Sequence, residues 1–319
     1  MPSIILRAFC ALIASFATIG LARAADLTIG LSSPITSLDP HFHNLTPNNQ
    51  IARHVFETLI KQDEKQTALL PSLAESWKPL SDTEWEIKLR KGVKFHNGQD
   101  FTADDVIATF KRVPNVPNSP ASFASFVRPI IDIQTPDKFT LRLKTDKPHP
   151  LLPYDMVSVA IVAKSVADGA KTEEFNSGKA MIGTGPFRYA EYVAGDRVVL
   201  KRNDQYWGPK PAWDNVRFRM ITSAPARVAA LLAGDVQMIE GVPTADIAQL
   251  KKDKRVSLSS AVSNRIIYLH LDSNREKNSP FVTSVDGKPL EANPLRDPRV
   301  RQAISKMIDR DAIVSRIME

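Results

Sequence analysis

The chain has 319 residues, 43% hydrophobic and 24% charged, with 42 Lys and Arg against 35 Asp and Glu for a formal charge of +7. That length is enough for two domains. The basic residues are scattered among acids without a stripe, so the excess does not read as a nucleic-acid surface; even the densest run, Lys251-Lys252-Asp253-Lys254-Arg255, reads as a solvated helix end.

In chain order, the first 24 residues have the pattern of a secretory signal. Arg7 gives a short positive start, Ala8 to Leu21 is an apolar run too short to span a bilayer, and Ala22-Arg23-Ala24 is an A-x-A cleavage site. The single cysteine, Cys10, lies inside that run, and Ala25 rather than a cysteine follows the cleavage point. The exported form is therefore expected to carry no thiol, disulfide or lipid anchor, and to reside in an oxidising compartment, a Gram-negative periplasm. Losing Arg7 and Arg23 leaves 40 basic residues against 35 acids, a charge of +5.

Leu27 to Leu31 is a strand candidate. Thr46-Pro47 reads as an N-cap with proline at the first helical position, and Ile51, Val55, Phe56, Leu59 and Ile60 keep helical spacing. Trp85, Ile87 and Leu89 alternate with charged residues as in a half-buried strand, which assigns Trp85 to the core. Gly92 and Asn97-Gly98 mark turns. Thr102 with Asp105 starts a helix whose apolar face is Val106, Ile107 and Phe110. After the Pro114 to Pro120 loop comes a hairpin: Ile131 and Ile133, a turn at Thr135-Pro136-Asp137, then Phe139, Leu141 and Leu143. Val157 to Val162 is predicted as a buried strand. The pattern is strand-rich from Phe187, and Ser223 to Ala233 is a helix stopped by Gly234. Val236 to Ile239 and Ile266 to Leu271 read as further strands, and after Asp309 the residues Ala312, Ile313, Ile317 and Met318 keep helical spacing. Strands and helices interleave without a strict βαβ period, so the class is mixed α/β.

Several blocks together carry a resemblance. Leu73 to Arg112 contains A-E-S-W, then W-x-I-x-L-R-x-G-V-x-F-H-x-G, then F-T-A-D-D-V-x-x-T-F. Around it stand Ser37-Leu38-Asp39-Pro40-His41, Gly183-Thr184-Gly185-Pro186-Phe187, Arg202-Asn203 with Tyr206-Trp207-Gly208, Leu232 to Val236, and Pro294 to Asp309. In this order they closely resemble the family-5 extracellular solute-binding proteins, the periplasmic receptors that feed peptides, nickel and related solutes to ABC importers. The resemblance implies a periplasmic binding protein of type II with two lobes. Residues 25–45 and 185–265 would form the first lobe, 46–184 an accessory domain, and 266–319 the start of a second lobe. It also implies a longer family chain, so this one reads as C-terminally truncated, with the groups that hold peptide termini beyond its end. Ligands would sit in a cleft that closes by a hinge.

Asn44-Leu45-Thr46 is the candidate ligand-binding segment, because related receptors run this loop along the bound peptide. Its backbone, the Asn44 amide and the Thr46 hydroxyl could pair with an extended ligand as strand addition does; the alternative is an ordinary helix-capping loop. His41-Phe42-His43 could place two imidazoles on one face for a metal, but no Cys, His or carboxylate partners stand at metal spacing, so no metal site is expected. Trp77, Trp207 and Trp213 read as core aromatics or ligand platforms. There is no G-x-S-x-G, H-E-x-x-H or phosphate-loop motif, and a mature chain without cysteine excludes thiol catalysis. The expected function is a non-enzymatic, monomeric peptide receptor without cofactor. Its partners would be a permease of two transmembrane and two ATP-binding subunits. A nickel or other small-solute receptor is the runner-up, and a secreted hydrolase the competing class.

Overall fold

The computed structural model describes residues 25–261 and 267–318; the signal segment, Ile266 and Glu319 lie outside them. The chain divides into two compact units, one ending at Val242 and the other beginning at Pro243.

In the first unit, β1 (Asp26–Leu31) is parallel to β10 (Asn215–Met220) on one side, Leu27 facing Val216, and to the short β11 (Met238–Ile239) on the other. With β8 (Phe187–Val193) and β9 (Arg197–Arg202) these strands form a mixed sheet in the order β11-β1-β10-β9-β8. Val198, Leu200, Val216 and Phe218 are buried at alternate positions of β9 and β10, which is the period-two pattern expected of a sheet with one face in the core. A two-stranded ribbon, β2 (Ile60–Gln62) with β3 (Leu69–Pro71), precedes an antiparallel sheet of β4 (Ala74–Ser81), β5 (Glu84–Leu89), β6 (Ile130–Asp137) and β7 (Thr140–Thr145), in the order β4-β5-β7-β6.

Helix α1 (Thr46–Val55) buries Ile51, Ala52 and Val55. These residues join Phe56, Leu59 and Ile60 in a continuous apolar cluster that reaches both sheets. Helix α2 (Ala103–Arg112) has the expected capping box, Thr102 N–H and hydroxyl both bonding Asp105, and the expected core residues Val106 and Phe110. Helix α3 (Ala224–Ala233) ends at Gly234 with φ +82°, a left-handed residue that glycine adopts without steric cost. Trp85 and Trp77 pack partly buried against the cluster, whereas Trp213 is 39% exposed and serves no core.

Four expectations are corrected. Helix α1 begins one residue earlier than predicted: Leu45 is its N-cap, Thr46 its first residue, and no side chain caps it. The hairpin turn lies at Lys138-Phe139, because Asp137 accepts the Phe139 N–H (2.8 Å) and the Thr140 hydroxyl (2.8 Å). Pro136 is tolerated before it because β6 is an edge strand. Val157 to Val162 is buried but is no strand. Its backbone is satisfied from elsewhere: Ile161 N–H by Glu57 O (2.8 Å), Val162 N–H by the Thr109 hydroxyl (3.1 Å), and Ala160 O by His41 Nε2–H (2.7 Å). Residues 267–271 are likewise not a strand, and Ile267, Tyr268 and Leu269 are exposed.

The second unit holds α4 (Thr244–Leu250), α5 (Pro298–Met307) and a short helix at Arg310–Ile313. Asn293 organises its middle, donating to Asp272 O (2.7 Å) and Arg275 O (2.8 Å) while accepting from Leu295 N–H (3.0 Å). Asp297 caps α5, which buries no side chain.

Candidate functional site

The loop that carries Asn44 is fixed from below by a buried ion pair. Arg112, the last residue of α2, grips Asp39 with two parallel bonds, Nη1 to Oδ1 (2.9 Å) and Nη2 to Oδ2 (2.6 Å). Asp39 also accepts the His41 N–H (3.0 Å) and the Thr172 hydroxyl (2.8 Å). Burial alone would raise the Asp39 carboxyl, but the hydrogen bond and charge of Arg112 outweigh it and hold the group below its ordinary value.

His41 completes the cluster. Its Nε2–H donates to Ala160 O and its Nδ1 accepts from Arg112 Nη1 (2.8 Å), which fixes the neutral tautomer. Full burial, then the Arg112 charge, push its pKa down to about 4. His43 is engaged separately, its Nδ1 at 3.0 Å from the Thr36 hydroxyl. The two imidazoles therefore serve different partners, and no metal-ligating cluster occurs among the described residues.

From this anchor the chain makes a tight turn at Asn44, closed by Leu45 N–H donating to His43 O (2.7 Å). His43 bridges Ala121, and Asn44 N–H donates to Ala121 O (2.9 Å). Leu45 is extended at φ −131° and ψ 137°, and α1 follows. Asn44 Oδ1 accepts from Asn49 Nδ2 (2.9 Å), leaving its own amide NH₂, like the Thr46 hydroxyl, without a partner among the described residues. Asn44 and Thr46 are exposed and Leu45 is half-buried.

Asn44 lines a recess of about 40 Å³ with Pro40, Asn49, Arg53, Thr58 and Ser158. An adjoining trough of about 470 Å³ shares Arg53, Phe56, Thr58 and Val157 with it. Leu45 and Thr46 line neither, so of the three expected residues the structure brings only Asn44 to the concave surface.

Glu57, which lines the trough, escaped the sequence reading. Oε2 of this carboxylate accepts from the Thr184 hydroxyl (2.8 Å) and Trp207 Nε1–H (2.7 Å), and Oε1 from the Tyr206 hydroxyl (2.8 Å). Burial raises its pKa against the pull of these three donors, and burial beside Glu57 raises that of Tyr206. The available signal was Tyr206-Trp207 itself: buried Tyr and Trp tips need an acceptor.

The Gly183-Thr184-Gly185 block lies flat on the end of α1. A Cβ on Gly183 would fall 1.9 Å from Val55 O, and Gly185 N–H donates to that same carbonyl (2.9 Å). His96 locks the block: Nε2–H donates to Gly185 O (3.0 Å), Nδ1 accepts Gly183 N–H (3.3 Å), and its own N–H donates to Gly183 O (2.8 Å). Burial pushes His96 down to about 4, although the bond to Gly185 opposes the shift. The blocks that carried the resemblance thus hold the fold behind the recess.

Comparison with known proteins agrees with this architecture. The family model for bacterial extracellular solute-binding proteins, family 5 Middle, matches residues 68–319. The oligopeptide-binding protein AppA of Bacillus subtilis is 29% identical over 304 residues, covering 93% of this chain and 52% of its own. Its structure in complex with a nonapeptide superposes with a TM-score of 0.64 over 71% of this chain and 46% of AppA. NikZ of Campylobacter jejuni, solved with Ni(L-His), shares the fold at a TM-score of 0.71 and 22% identity, over 91% of this chain and 55% of NikZ. The chain spans about half the length of the curated relatives it matches. Its mixed α/β fold is that of type II periplasmic binding proteins, and the chain belongs to the family 5 bacterial extracellular solute-binding proteins.

Proposed function

We propose that this chain contributes to the peptide-receiving surface of a periplasmic receptor for an ABC importer. One observation carries the reading. Asn44 stands at a tight turn on a concave surface, its amide NH₂ free of partners among the described residues and its backbone fixed through Ala121, the turn to Leu45 and the Arg112–Asp39 pair. That free amide, held in place by the turn, can donate to the backbone carbonyls of a ligand in extended conformation. Leu45 would contribute its side chain and Thr46 its hydroxyl beside it, since the Leu45 N–H is held by His43 O and its carbonyl by Asn49 N–H. AppA, similar over nearly all of this chain, was solved with a nonapeptide. Ligand binding that favours a closed form would signal to a permease and its ATP-binding subunits, where ATP is hydrolysed. The proposed division keeps 25–45 with 185–265 as a first lobe, 46–184 as an accessory domain and 266–319 as part of a second lobe.

A nickel chelate is the second reading, favoured by the likeness to NikZ in fold. Family 5 comprises solute-binding proteins rather than enzymes, so ligand should be recovered unchanged. Calorimetry of residues 25–319 with pools of dipeptides to pentapeptides, run beside nickel–histidine chelates, separates the readings. Saturable heat from peptides supports the first, saturation by the chelate alone the second. Cleaved peptides in the recovered solution would point to a hydrolase.

A further inference from the structure

A cavity of about 690 Å³ opens between the end of α2, the Asn115–Asn118 loop and the Ala167–Glu173 turn, and it shares no lining residue with the recess that Asn44 lines. Its volume is that of a small-molecule site. Ala108 and Val116 give it a buried apolar surface, and Phe42 and Pro117 add apolar wall.

Four charged side chains line it, Lys111 and Lys171 of one sign and Asp168 and Glu173 of the other. None of the four forms an ion pair within 4.0 Å among the described residues, although the Lys171 charge acts on the neighbouring Glu174 carboxyl. Arg112 also borders the cavity, its charge balanced by Asp39. Its Nη groups are committed to Asp39, His41 and Ala170 O, which leaves Nε–H without a partner among the described residues. An apolar hollow lined by unpaired charges of both signs matches a ligand that has both signs and an apolar body.

We propose that this cavity is a second binding site, for a zwitterionic α-amino acid with an apolar side chain. The carboxylate meets Lys111, Lys171 and Arg112 Nε–H, the ammonium meets Asp168 and Glu173, and the side chain covers Ala108, Val116 and Phe42. A ligand of one sign alone would leave the opposite pair of charges facing it unanswered, a difference that selects for the zwitterion. The proposal is independent of what Asn44 binds.

The test is an NMR titration of residues 25–319 with L-phenylalanine, 3-phenylpropanoate and phenethylamine, which keep the ring and remove one charge at a time. L-phenylalanine is expected to saturate, shifting amides of Asn115, Val116, Asn118 and Gly169 to Lys171. Each single-charge analogue should bind at least ten-fold more weakly. All four charged side chains are on exposed residues, so Lys111→Met with Lys171→Met, and Asp168→Asn with Glu173→Gln, should fold normally by circular dichroism and each lose at least ten-fold in affinity. No saturation, equal binding of an analogue, unchanged affinity in either double variant, or shifts confined to Asn44 to Asn49 would each overturn the assignment.

Discussion

Arg112 and Asp39 face each other with side chains 7% and 0% exposed, so removing Arg112 strands the Asp39 carboxylate where water cannot reach it. Breaking such a pair from one side costs about 3–5 kcal/mol. Arg112→Met should therefore lower the unfolding free energy by that much at pH 7, seen as a lower urea midpoint at unchanged slope, while replacing an exposed cation such as Lys111 should leave the midpoint within error. His41 adds a pH dependence. Its folded pKa, about 4, lies below the ordinary 6.5, so the unfolded chain binds the extra proton between those values. Its contribution is complete above about pH 6.5, falls as pH drops toward 4, and amounts to about 3 kcal/mol at most. His96 acts in the same direction, whereas Glu57, with its carboxyl raised by burial, opposes them. Stability measured at pH 4.5 and 7 should accordingly differ less in His41→Asn than in the parent chain. An unchanged difference would show that His41 is not held neutral.

At the level of elements, the packing of Gly183-Thr184-Gly185 on the end of α1 sets a sharp steric limit. Gly183→Ala drives a methyl into Val55 O, and the backbone must shift to admit it. Overpacking of this kind costs about 1–3 kcal/mol. Gly195→Ala meets nothing within 4 Å but sits at φ +75°, so it reports backbone strain alone, and thermal melts of the two variants should rank Gly183→Ala as the less stable. Sequence pattern exposed the elements whose causes are local. The α2 capping box, the Gly234 cap and the alternation of β5 each depend on residues a few positions apart. It failed where satisfaction comes from far along the chain. Val157 to Val162 reads as a strand by composition, yet its backbone partners are Glu57 O, the Thr109 hydroxyl and His41, which no local window contains. The candidate site divides the same way. Its loop was legible through the resemblance of Ser37 to His41. The roles of Glu57 and Arg112 were not, since each depends on contacts more than 70 residues away in sequence.

For the whole molecule, export and ligand reception are two proposals with separate tests. The A-x-A site at Ala22 to Ala24 expects periplasmic material to begin at Ala25, and N-terminal sequencing that returned Met1 would contradict export by cleavage. Ala25 itself is tied to the sheet: its N–H donates to Asp214 Oδ2 (2.9 Å) and its carbonyl accepts the Asp214 N–H (2.7 Å). The proposed ligand segment is Asn44 to Thr46, and backbone NMR of residues 25–319 during titration with peptide pools tests it. Saturable shifts are expected in the amides of Asn44, Leu45 and Thr46 and in the Asn44 side-chain amide, with free peptide recovered intact. Peptide binding that left these resonances unmoved, or shifts there produced by nickel–histidine alone, would contradict it.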